Sequence, residues 1–460
     1  MKQGEENQTH ENKMGHAPVL KLIISMSLPA MFSMMVQALY NIVDSYFVSQ
    51  VSENALTAVS LAFPIQMLMI SVAVGTSIGI NSFISRKLGE KRQDLADSAA
   101  SHGVLLGVAS WLLFALVGLF GSRLFFQSFT DIKEIVEMGT NYIGICCVAS
   151  FGVFIEVNLE KILQATGNMI YPMMFQLVGA VTNMILDPIF IFGWLGLPAM
   201  GIVGAAVATV IGQIVAMLFA ICIVKFKDHA VAIRFKGFKL DWGIVKSIYA
   251  VGFPSIIMQS IGSVMNVAMN AILISFTETA VAVFGVYFKL QSFIFMPVFG
   301  LTHGVMPIMG YNFGARNKGR LISALKIGSV IALVIMLAGT VVFWTIPGLL
   351  LGIFNASENM LEIGIPALQL ISICFVPAAL GIMFSTLFQA VGKGVYSLII
   401  SVLRQLVVLV PAAFLLAQTM QVQNVWFAFP IAETFSLLAS ILLFARLYRK
   451  TIRPLEAHSE

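Results

Sequence analysis

Two aspartates stand where a carboxylate is costly. Asp44 lies in "ALYNIVDSYFVSQ" and Asp187 in "VTNMILDPIF", both within long apolar runs. A charged side chain at the centre of a membrane helix costs about 2.5–3.5 kcal/mol on insertion scales, so a carboxylate kept there is a candidate functional group. Each has a polar residue one turn before it. Tyr40 precedes Asp44 by four positions and Asn183 precedes Asp187 by four, which puts each pair on one helix face. Tyr142 in "TNYIGI" and Thr209 in "GAAVATV" fall at a similar depth in their own spans. Two carboxyls brought together in a low dielectric cannot both be charged without a counter-ion, which makes the group a candidate proton binder. With the Asn and Thr oxygens added, Asp44, Asn183, Asp187 and Thr209 equally suit a small hard cation such as Na+. Pro188, directly after Asp187, has no N–H to give the helix ladder and frees a carbonyl nearby.

These residues need elements to hold them at one height, and composition says which. Of 460 residues 58% are hydrophobic and 11% charged, and the mean hydropathy is +0.92. A soluble chain carries about a quarter charged residues. A window of about 19 residues gives twelve spans: 19–48, 55–84, 100–126, 132–158, 170–193, 201–225, 243–275, 280–309, 321–347, 362–389, 394–418 and 423–448. An all-α polytopic membrane protein is predicted. Of the 27 Lys and Arg, 23 fall on the side of the termini and 2 (Arg123 and Lys133) on the other, while Lys289 and Arg404 lie within spans. That bias predicts cytoplasmic termini in a multi-pass protein of the cell membrane. The net charge of +5 is thus topological and gives no reason to expect nucleic acid. The first 17 residues are polar, lack the apolar core of a signal peptide, and read as a disordered tail. Cys146, Cys147, Cys222 and Cys374 all lie in apolar runs, with no disulfide or metal spacing.

The chain also repeats itself. "LGEKR" and "FGARNKGR" place Gly89 and Gly314 at an offset of 225. "QATG" and "QAVG" (Gln164, Gln389), and Pro29 and Pro254, share that offset. Each half then holds six spans, an even number, so the halves run in the same direction. A pseudo-twofold along the membrane normal should relate two six-helix bundles with a cleft between them. The expected division is a cytoplasmic tail 1–17, a first bundle 18–225, a cytoplasmic linker 226–242, a second bundle 243–448 and a cytoplasmic tail 449–460. At the +225 positions Met269, Ala412 and Ser385 stand in for Asp44, Asp187 and Glu160. The asymmetry assigns ion coupling to the first bundle and leaves the second to shape a substrate cleft, with Asn266, Asn270, Gln291, Lys289 and Glu433 as candidates. Glu156 and Glu160, beside Lys161 near the inner end of the fourth span, are either functional acids or structural partners. Lys289 and Arg404 read as buried cations whose partner is backbone or Glu433. His102 is expected at an interface and His303 in helix packing. No nucleophile–base spacing argues for an enzyme, no polar ring for a channel, and no cofactor is expected.

The stretches "LYNIVDSYFV", "SRKLGEKR", "QATGN", "TNMILDPIFIFG", "GAAVAT", "GYNFGARNKGR", "LRQLVVLVP" and "WFAFPIAE" resemble the multidrug and toxic compound extrusion (MATE) family, in its prokaryotic DinF-like and MepA-like branch. The resemblance covers nearly all spans. It implies two bundles around a cleft that opens alternately to each side, and antiport of bulky, amphiphilic, cationic compounds against H+ or Na+. Family cation-site positions carry over onto Tyr40, Asp44, Tyr142, Asn183, Asp187 and Thr209. Related NorM-type members use acids in the second bundle, which the interiors of spans 7, 8 and 10 here lack. A lipid-linked precursor flippase of the same superfamily is the alternative, and the scarcity of buried cations argues against it. With the cleft inside one chain, a monomer in the lipid bilayer is expected.

Overall fold

The computed structural model describes residues 12–458, the side chains of 45, 49, 53, 56 and 456–458 excepted. A short turn α1 (Lys13–His16) leads into α2 (Val19–Ser49), α3 (Glu53–Gly89), α4 (Gln93–Leu116) with α5 (Ser122–Gln127), α6 (Lys133–Val148), α7 (Phe151–Ala165), α8 (Ile170–Phe192) and α9 (Gly201–Phe226). The second half holds α10 (Trp242–Ile274), α11 (Glu278–Gly314), α12 (Lys318–Thr345), α13 (Pro347–Gly352), α14 (Glu358–Ser372), α15 (Phe375–Ala390), α16 (Gly394–Val402), α17 (Val410–Ala417), α18 (Val422–Val425) and α19 (Ala428–Leu447). Among the described residues ten helical spans are long and apolar enough to cross a membrane. Two further pairs, α6–α7 and α14–α15, are bent by 42° and 47°, and each counted as one span brings the number to twelve. The fourth and tenth spans are therefore broken rather than straight. The fourth also runs on to Ala165, so Glu160 sits inside a helix and not beyond its end.

The repeat is written in caps and turns as well as in hydropathy. Ser52 caps α3 by accepting from the Ala55 amide at 3.0 Å, and Thr277 caps α11 from Ala280 at 3.1 Å, an offset of 225. Such hydroxyls satisfy amides that have no partner inside the helix. Lys91 and Arg316 both take φ of 58° just after these helices, and Gly167 and Gly392 take 89° and 80° after α7 and α15. Each pair is again 225 apart. Glycine adopts this left-handed conformation without the steric cost other residues meet.

The end of the molecule where α2 begins, here the terminal face, is where the halves meet most closely. α10 lies along α3 and α11 along α2. A Cβ on Gly304 would stand 2.8 Å from the Ser27 amide nitrogen, one on Gly300 2.6 Å from that of Met31, and one on Gly75 2.6 Å from that of Ile256. All of these contacts lie in the halves of the helices nearest the terminal face. Polar bonds cross the seam there too: Ser82 donates to the Gln389 carbonyl at 2.5 Å, and Asn312 to that of Met14 at 3.0 Å. One apolar core is continuous through this region and the second half. The opposite end of the first half has a separate core around Val48, Ala58, Phe114, Phe126, Ile143 and Phe154. The halves thus share a core at the terminal face, while the opposite end of the first half keeps a core of its own.

Residues 12–17 are more ordered than the composition of the first tail indicates. Residues 1–11 and 459–460 lie outside the described residues. From residue 12 on, Asn12 donates to the Thr166 carbonyl at 3.1 Å and Met14 is fully buried. Arg320 donates to the carbonyls of Met14 and Ala17 at 3.1 and 2.7 Å. His102, expected at an interface, is buried and accepts from the Asp241 amide at 2.9 Å, which pins the stretch before α10.

Candidate functional site

The six polar residues singled out in the first half converge. On α8, Asn183 and Asp187 are 3% and 0% exposed. The Asn183 amide is oriented by the bonds available to it. Its nitrogen donates to Asp187 Oδ2 at 2.8 Å, and its oxygen accepts from the Thr209 hydroxyl and amide at 3.1 and 3.0 Å. Thr209 is carried by α9. From α2, the Asp44 carboxyl comes within hydrogen-bonding reach of Asp187, and the Tyr40 hydroxyl within reach of Thr209. Tyr142 on α6 completes the group and accepts from Gln66 on α3 at 3.0 Å. Gln66 is a member that sequence reasoning missed; its one signal is an amide in an apolar run just after Pro64.

Two carboxyls meet in this way only when one carries a proton or both share a cation. Oδ1 of Asp187 is sealed from solvent and meets no hydrogen-bond donor among the described residues. Pro188 lies inside α8 and leaves the Met184 carbonyl without its usual helical donor. Two carboxyls, an amide oxygen and a hydroxyl bring hard oxygens together, a chemistry that suits H+ or a cation of the Na+ kind.

A second polar cluster lies nearer the terminal face. Glu160 and Lys161 pair at 3.0 Å and are 3% and 4% exposed. Gln164 and Gln176 donate to the two oxygens of Glu160 at 2.7 and 2.9 Å. Lys161 also reaches Gln164 Oε1 at 2.9 Å and, across the seam, His303 Nδ1 on α11 at 3.3 Å. Glu156, one turn along α7, is 8% exposed, and its Oε1 has no partner among the described residues. His303 therefore does more than fill a helix contact.

The second half places its candidates apart from these. Glu433 is buried and meets Arg404 Nη1 at 3.5 Å, which decides which cation faces it. Arg404 sits in the wide helical turn Leu403–Leu409. Lys289 is exposed rather than buried, and its ammonium lies 5.8 Å from the ring centre of Phe354. Asn270 is exposed, and Asn266 and Gln291 are half-buried. The five cleft candidates thus include one buried ion-pair member and one surface lysine.

The profile of the MatE family matches residues 29–189 and 254–415, one segment in each half. The multidrug export protein MepA of Staphylococcus aureus (strain bovine RF122 / ET3-1) is 27% identical over 428 residues, 93% of this chain and 94% of that protein. MepA of Staphylococcus saprophyticus is 26% identical over 426 residues, 92% and 93% of the two chains. Among solved structures, a multidrug resistance MATE transporter of the MOP superfamily in an outward-facing conformation superposes with a TM-score of 0.90. It is 29% identical, with 98% of this chain and 100% of that one covered. A MOP superfamily transporter from Pyrococcus furiosus gives the same values. The helix count, the duplicated caps and the two-lobed packing belong with these matches, and the chain is a member of the MatE family.

Proposed function

We propose that this protein is a multidrug exporter of the cell membrane that couples extrusion of amphiphilic, cationic compounds to inward movement of H+ or Na+ at the Asp44–Asp187 pair. The observation that carries this reading is the contact of two carboxyls inside a membrane bundle, one of them with a buried oxygen that no donor meets. Tyr40, Tyr142, Asn183 and Thr209 hold the pair, and Asn183 and Thr209 add oxygens for Na+. The side of the chain termini, to which the sequence assigns 23 of 27 basic residues, is the cytoplasmic one on this reading. On that assignment the seam is shut toward the cytoplasm. The basic stretch 226–242 joins the two lobes, and one chain is the working unit. A charge crossing about 100 mV supplies about 2.3 kcal/mol, roughly a fifty-fold gradient of a neutral substrate. MepA relatives are named as multidrug exporters, which favours drugs over lipid-linked precursors as cargo.

The experiment uses the purified protein in liposomes with a fluorescent cationic dye, under an imposed pH gradient or an imposed Na+ gradient. Dye transport driven by one gradient and lost in Asp44→Asn is the expected outcome. Equal transport by both proteins would remove Asp44 from coupling, and no transport by either would turn the reading toward a flippase.

A further inference from the structure

Glu156 is a buried acid for which the site above has no use. Its neighbourhood can be followed charge by charge. Lys161 has three N–H groups, and they are taken by Glu160, Gln164 and His303. None is left for Glu156. Nδ1 of His303 accepts from an ammonium, which requires it to carry no proton. Glu160 and Lys161 neutralise each other, so a Glu156 carboxylate would leave one uncompensated negative charge in the bundle. The electrostatic partners of Glu156 are Glu160 and Lys161 on its own helix. Of the helices packed on α7, α3 presents Asn81, α8 presents Gln176 and α11 presents His303. α4 offers Gly103 and Gly107, and α9 the backbone of Gln213, so none brings a second cation.

Position matters as much as charge. Asp187, Asn183 and Gln176 lie on one stripe of α8, which leads from the aspartate pair toward the terminal face. Asn183 and Gln176 are separated by about 10 Å along that stripe at 1.5 Å per residue. Gln176 is bonded to Glu160, which ties the levels of α7 and α8 together. The two helices run antiparallel, so Glu156 stands about 6 Å from Glu160 in the direction of Asn183. By helix rise it falls in the gap of the file, about 4 Å short of the level of Asn183 along the bundle axis.

We propose that Glu156 is a second proton-binding carboxyl, a station between the Asp44–Asp187 pair and the Lys161–His303 contact that closes the terminal face. The inference rests on reading the aspartate pair as the coupling site. A proton passes from that pair to Oε1 of Glu156, which becomes a neutral acid and leaves the negative charge on the aspartates. When the seam opens, the proton departs to water on the terminal side and Glu156 is again a carboxylate.

The test compares wild type, Glu156→Gln, Glu156→Asp and Asp44→Asn, full length and reconstituted. Three quantities are read: dye transport driven by a pH gradient, dye–dye counterflow without a gradient, and the infrared C=O band of protonated carboxyls during a pH titration. Glu156→Gln should keep counterflow and lose gradient-driven transport by roughly a hundredfold, the low end of what a positioned proton carrier contributes. One protonated-carboxyl band should vanish from its spectrum, and Glu156→Asp should recover part of the transport. Wild-type gradient-driven transport in Glu156→Gln, beside an inert Asp44→Asn, overturns this inference alone. Normal coupling in Asp44→Asn instead overturns the reading of the aspartate pair. A wild type driven by Na+ and indifferent to pH overturns Glu156 as a proton carrier. Should Glu156→Gln bind no dye, Glu156→Asp decides: a shifted band with slowed transport supports the station, and an unmoved band refutes it.

Discussion

Glu433 rests one carboxyl oxygen on Arg404, while the other meets nothing among the described residues. Removing Arg404 should cost about 1–3 kcal/mol, the penalty for stranding a buried acceptor. Arg404→Met is expected to melt at a lower temperature, and Glu433→Gln added to it should restore most of the loss. Failure of that rescue would mean that Arg404 holds the fold through something other than Glu433. The pair also shows what a single sequence hides. Asn183 and Asp187 were readable as partners because four residues place them on one face. Arg404 and Glu433 are 29 residues apart on different helices, and no local spacing points from one to the other. Lys289 was misread for the same reason: its apolar neighbours in "VYFKLQ" resemble a buried run, while its ammonium lies over Phe354 at the surface.

Helix ends were readable to within about seven residues, as at Gln93 and Ala165, but bends were not. Hydropathy runs unbroken through "CCVASFGVF", although the chain turns by 42° between α6 and α7. Ser150, whose hydroxyl joins its own amide on the Cys147 carbonyl at 2.7 Å, loosens the ladder there. That effect is too common in serine-bearing helices to announce a break. Glycine at the seam is a second element-level feature, because its meaning depends on which helix lies opposite. Gly304 faces Ser27 so closely that a side chain cannot fit without moving α2 from α11. Overpacking of this kind costs about 1–3 kcal/mol, enough to move a two-state equilibrium from about fivefold to about a hundredfold. Gly304→Val should therefore favour the state open at the terminal face. Spin labels on α2 and α11 near that face should report longer separations than in wild type. Unchanged separations would show that the seam yields without opening.

The orientation of the whole molecule can be tested without transport. In a background lacking the four native cysteines, Asn270→Cys near the opposite face should react with an impermeant maleimide added to intact cells. Gly237→Cys, which has open space around it, should react only after the membrane is permeabilised. The reverse pattern would invert the assignment made from the basic residues. At this scale the sequence was most informative about the two-lobed fold, since a repeat of constant offset survives any error in single helices.

The two bends also carry information about descent. They fall at 149–150 and 373–374, equivalent places in the two halves. The buried aspartates occur in the first half alone, with Met269 and Ala412 in the matching positions. A feature found in both copies is most simply inherited from before the gene doubled, and one found in a single copy arose or was kept afterwards. By that reckoning the broken helix is the ancestral trait, and the pair of buried aspartates was settled later on a frame that was already bent.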